Sequence, residues 1–146
     1  MAYDPDGETN PENLRTYMAR VKDKHPDLYR RAFRRLCTLT GRNADDPLEA
    51  EFDACVAALE QIYLEESGRR KRARRISDKR ARDGVVETFR YLAMKKEASE
   101  GFHHLVQNGL PEFAAEHVIM RYPQRFPTEA VDAAQHRLSA HGIPLP

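Results

Sequence analysis

The sequence predicts an all-α protein, a small bundle of about six or seven helices, and three observations carry that prediction. Apolar residues recur at i, i+3, i+4, i+7 along most of the chain, as in Leu14, Tyr17, Met18 and Val21. Helix starts and stops bracket these runs, with Asn10-Pro11-Glu12 and Asp46-Pro47-Leu48-Glu49 as openings. Trp is absent, aromatics make up 8% and charged residues 32%, a composition suited to helices with a heavily solvated surface rather than to a β-sandwich.

In order, residues 1–9 read as a disordered tail, and 10–146 as a single helical domain, a length at which about 68–70% of the extended-chain surface is buried. The first helix runs from Pro11 to His25-Pro26, where the residue before proline is pushed out of the α region. The second spans about 26–39. Leu28, Tyr29, Ala32, Phe33, Leu36 and Cys37 form its apolar stripe, Arg30, Arg31, Arg34 and Arg35 its other stripe, and Gly41 its stop. Stacking like charge at i, i+4 costs a few tenths of a kcal/mol per pair, so an anionic group is expected to lie over that stripe. The third helix keeps helical period from Leu48 to Tyr63, and residues 45–66 hold eight acids and no base. These three helices are expected to form an antiparallel core on which shorter C-terminal helices pack.

A fourth helix is expected over about 78–96, capped by Ser77; Gly84 inside it costs about 1 kcal/mol relative to Ala, so a start nearer Asp83 is the alternative, and at Val85-Val86 the spacing favours helix over strand. Ser99 caps the next, which Asn108-Gly109 closes. Pro111-Glu112 opens another, in which Val118-Ile119-Met120 could equally be extended. Tyr122-Pro123 and Phe126-Pro127 mark a tight connection before a last helix from Thr128 to Gly142. Phe102, Leu105, Leu110, Phe113, Val118, Tyr122 and Phe126 read as core, with Tyr122 or Phe126 as alternative exposed anchors.

The charge distribution is the functional signal. Within 69–82, nine Lys or Arg stand against one Asp, a charge of +8; the whole chain is +1, so the remainder carries −7. Such a window sets a local field that attracts polyanions although the total is nearly neutral. Guanidinium forks match phosphate oxygens bidentately. The candidate phosphate-contacting residues are therefore Arg69, Arg70, Lys71, Arg72, Arg74, Arg75, Lys79, Arg80 and Arg82. Arg30, Arg31, Arg34 and Arg35 would extend the track if the fold places them on the same side. The window contains no aromatic residue, Asn or Gln, which points to backbone contact rather than base reading. The competing reading is that the acids of 45–66 fold against the basic window and mask it. A helix-turn-helix reading of the first two helices is weak, because the turn contains Pro and the four Arg lack the Asn, Gln or Ser of base readers.

Other chemistry finds little support. Cys37 and Cys55 fall on apolar faces and read as reduced core thiols. His103-His104, His117, His136 and His141 lack zinc spacing, and no metal or cofactor is implied. Ser77 and Ser99 are better placed as caps than as nucleophiles, and no Gly-rich phosphate loop occurs. The acidic, polar N-terminus lacks the regions of a secretory signal, and no run of apolar residues is long enough for a membrane span. The sequence thus predicts a cytoplasmic, non-catalytic nucleic-acid-binding accessory protein. The alternative is a protein-interaction adaptor with complementary acidic and basic helices, whose basic side would meet an acidic protein surface.

Overall fold

The computed structural model describes residues 3–40 and 46–146, and these are all-α, with eight helices and no strand. Helix α1 (Pro11–Val21) is capped by Asn10, whose side chain accepts the Glu12 N–H at 3.0 Å. Helix α2 (Pro26–Thr40) follows; the stop expected at Gly41 lies outside the described residues. Helix α3 (Pro47–Ser67) is capped by Asp46, which accepts the Leu48 N–H at 3.0 Å, and ends at Gly68 in the left-handed region. The starts of α1 and α3 agree with the sequence because each joins a capping side chain to a proline whose missing N–H would be unpaired anyway, and α2 starts at the expected Pro26.

Helix α3 is the keel. Its C-terminal part sets Cys55, Ala58, Leu59 and Ile62 into a core shared with α1, α2 and a later helix, α6 (Glu100–Gln107). Its N-terminal end sets Leu48 and Phe52 into a second core. That core is completed by α5 (Val85–Met94), α7 (Ala115–Arg121) and α8 (Thr128–Ala140). Phe52 stacks edge-on against Phe89 with centroids 5.4 Å apart. Truncating such a fully buried Phe costs about 3–5 kcal/mol. On α8, Arg137 donates to Glu116 at 2.9 Å, to the Leu92 carbonyl at 3.0 Å and to the Lys95 carbonyl, so one guanidinium ties α7 to the C-terminus of α5. Burial pushes the Glu116 carboxyl above the usual range, against the pull of Arg137.

The structure departs from expectation in three places. The helix expected over 78–96 is two: α4 (Arg74–Asp83) and α5, broken at Gly84. Gly84 has φ 92° and ψ 165°, a region open essentially to glycine alone, so it is a corner and not a helix interior. Ser77 lies inside α4, its N–H bonded to the Ala73 carbonyl, and caps nothing. The stretch after Pro111 begins as a 3-10 turn (Pro111–Phe113) before α7, and Val118-Ile119-Met120 are helical. The N-terminal segment, expected as a disordered tail, takes a 3-10 turn at Pro5–Gly7 that packs on α2.

Candidate nucleic-acid interface

Gly68 turns the chain off α3, and residues 70–73 run without helical hydrogen bonds into α4. The Ala73 N–H donates to Glu60 Oε2 at 3.0 Å, which pins this arm to α3. Helix α4 starts with no capping side chain and no acid in its first turn. Its positive dipole end, which favours anions, is instead flanked by Arg72, Arg74 and Arg75.

The fold divides the nine predicted basic residues. Arg69, Arg70, Arg72, Arg74 and Arg75 are exposed, and no carboxylate of the described residues pairs with them. Lys71 is exposed too, its ammonium 5.3 Å from the Tyr63 ring centroid. Arg82 is open to solvent and, among the described residues, pairs with Asp83 alone, at 3.4 Å. Lys79 is bonded to Asp83 at 2.8 Å. Arg80 points inward with its side chain 15% exposed, paired with Asp53 at 2.7 Å and Glu49 at 3.3 Å. Its guanidinium carbon lies 4.7 Å from the Phe52 ring centroid. Arg80 therefore fastens α4 to α3 and is not available to a phosphate.

Under the arm lies a cleft of about 470 Å³ with Leu36, Val56, Ala57 and Leu64 in its lining. Arg70, Lys71 and Arg72 stand on one side, and Arg15 joins them from α1. The Arg15 Nε is buried there without a hydrogen-bond partner. Nothing in the α1 sequence distinguishes Arg15, whose obvious partner is Glu12 one turn before it, at 2.5 Å; only the crossing of the arm makes it part of this surface.

The Arg stripe of α2 does have anionic groups over it, and they come from its own chain. Arg31 meets Asp6 at 2.7 Å and Asp4 at 3.4 Å. Arg35 donates to the Glu8 carbonyl at 2.9 Å, and Arg34 pairs with Glu112 at 2.5 Å. Arg30 lies against Gly109, where an added Cβ would come within 2.8 Å of its Nη2. The extension of the phosphate track onto Arg30, Arg31, Arg34 and Arg35 thus meets a surface already neutralised in large part.

The acidic helix, in turn, does not mask the arm. Asp46 binds Arg125 at 2.9 Å, and Glu51 binds Arg121 at 2.9 Å and the Tyr122 hydroxyl at 3.2 Å. Glu65 accepts the Tyr29 hydroxyl and pairs with Lys22, and Glu66 faces His104. Among the described acids of this stretch, Glu49, Asp53 and Glu60 meet the basic window, through Arg80 and the Ala73 backbone. Tyr122 is thereby tied down and Phe126 is buried, so neither is an exposed anchor.

Cys37 and Cys55 are buried and unpaired, and burial pushes both thiols upward, Cys55 to about 12. Neither is a competent nucleophile near neutrality. Burial lowers the His117 imidazole, and Arg121 beside it acts in the same direction. His103, His136 and His141 line a second cleft of about 560 Å³ between α5, α6 and α8. Among the described residues no three His, Cys, Asp or Glu side chains are grouped to hold a metal, and no helix is long and apolar enough to cross a membrane. Comparison with known protein families, curated proteins and solved structures finds no match.

Proposed function

We propose that the protein is a non-catalytic nucleic-acid-binding accessory protein whose 69–75 arm contacts the phosphate backbone. One observation carries the reading: five arginines in seven residues stand exposed with no carboxylate of the described residues paired to them, although the chain has 23 acids. Lys71 and Arg82 supplement them. The Ala73–Glu60 bond and the inward clamp of Arg80 hold the arm in place, so less ordering entropy opposes binding. The adaptor reading rested on complementary acidic and basic handles. Its acidic handle is weakened, since each of the seven described carboxylates between 46 and 66 already meets a group of its own chain.

The test is fluorescence anisotropy of labelled DNA and RNA, titrated in salt. Releasing counterions from five to seven phosphates gives a log–log slope of about −4 to −7. Changing Arg69, Arg70, Arg72, Arg74 and Arg75 to Gln should flatten it toward about −2. Absence of binding at about 50 mM salt, where electrostatic contact is strongest, would end this reading. A pull-down partner that survives nuclease would then favour the adaptor.

A further inference from the structure

We propose that Tyr91 is a stacking platform for an unpaired base, so that the strand taken by this surface is single-stranded nucleic acid; the inference rests on the nucleic-acid reading above. The basic window has no aromatic residue of its own, but the corner at Gly84 folds α5 back beside α4 and supplies one. Helix α5 buries Val85, Thr88, Phe89 and Ala93. Its opposite face turns Tyr91 and Met94, three residues apart, into solvent at 46% and 43% exposure. Of the other exposed large apolar side chains among the described residues, Tyr3 lies against Tyr17 and bonds Glu8, and Leu145 is next to the end of the chain.

Two cations lie over the Tyr91 ring, and the nearby acids Asp83 and Glu87 are each paired with a base, Lys79 and Arg90. The Lys79 ammonium sits 4.5 Å from the ring centroid, and Asp83 holds it there. The Lys95 ammonium stands 5.8 Å away on an exposed side chain, able to swing aside and leave the ring to a base while keeping its charge beside the adjoining phosphate. Arg75, Lys79 and Arg82 share one face of α4 at i, i+4, i+7. Lys79 is spent on Asp83, so the charge that leads from the arm toward the ring is that of exposed Arg75 and solvent-open Arg82. A protein partner is a poorer fit. One Tyr and one Met among Lys79, Lys95 and Lys96 make a small apolar area, and lysine is depleted at the cores of protein interfaces. A duplex is also a poorer fit, because its base faces are closed by their neighbours, whereas every unpaired base offers a π-face.

The experiment compares labelled oligothymidylate and oligouridylate with a duplex of equal length, against wild type, Tyr91→Ala and Tyr91→Phe, each titrated in salt. Tyr91→Ala should weaken single-strand binding by about 5- to 150-fold, the worth of one stacked base, and leave duplex binding and the salt slope unchanged. Tyr91→Phe should keep wild-type affinity. Circular dichroism checks that the exposed substitution leaves the helices intact. If both strands bind and Tyr91→Ala leaves the single strand unchanged, or weakens both equally, the stacking role is wrong and the phosphate-binding arm stands. If neither strand binds wild type, both readings fall together.

Discussion

The Arg stripe of α2 and the arm at 69–75 are alike in composition and opposite in circumstance. On α2, Arg31, Arg34 and Arg35 meet Asp4, Asp6, the Glu8 carbonyl and Glu112. On the arm, Arg69, Arg70, Arg72, Arg74 and Arg75 meet no carboxylate of the described residues. The acids of α3 could have covered the arm, but they are committed along the rod to Arg121, Arg125, Lys22 and Arg80. The difference teaches that a run of arginine is a surface for others only where the fold has left its charge uncompensated.

The sharpest test of this contrast is a pair of charge-removal variants. Arm neutralisation should remove most nucleic-acid affinity, by a factor of about 10³ or more at near-physiological salt if five contacts are lost. Replacing Arg30, Arg31, Arg34 and Arg35 with Gln should leave affinity within a few-fold and act instead on stability, read by urea denaturation. Equal losses in the two variants would break the comparison.

Arg80 is the basic-window residue that resembles the α2 stripe, so Arg80→Gln should lower stability by about 1–3 kcal/mol, the range for losing hydrogen bonds to charged groups. Its effect on binding should be smaller than that of Arg72→Gln. Chemical denaturation and anisotropy on the same preparation check both.

Acid should dissolve the internal pairs before it touches the arm. Arg125 and the Leu48 N–H hold the Asp46 carboxyl down from 3.8 to about 2. A lowered folded-state value means the contribution is present above the unfolded value and is lost as pH falls. Melting temperature should therefore drop between about pH 4 and pH 2, and Asp46→Asn, which cannot titrate, should show a smaller drop across that window. The smallest effect is expected from Asp4→Asn with Asp6→Asn. Exposed pairs contribute little to stability, so melting should hardly move. The freed Arg31 should steepen the salt slope by at most about one unit.

Most of the helices were legible because their signals are local. Asn10-Pro11, Asp46-Pro47, Ser99 and Gly68 act on hydrogen bonds within one turn of themselves, and the apolar stripe of α3 needs only its own period. Gly84 pointed to a start nearer Asp83, as α5 has it, but the separate α4 before it was not legible, because the corner depends on how α4 and α5 pack. The N-terminal segment was misread for a related reason. Asp4, Asp6 and Glu8 resemble a solvated tail until the stripe of α2, some 25 residues on, is brought beneath them.

By itself the sequence determined the all-α class, the starts of α1 to α3 and the charge window at 69–82, because propensity, capping and local charge are properties of short stretches. The tertiary structure alone decided which of those charges remain uncompensated. It sent Arg80 inward to Asp53, set the acids of α3 on distant arginines, brought Arg15 to the arm and carried Tyr91 to Lys79. Coulomb energy and desolvation depend on separations across space, and residues dozens of positions apart acquire those separations only when the helices pack.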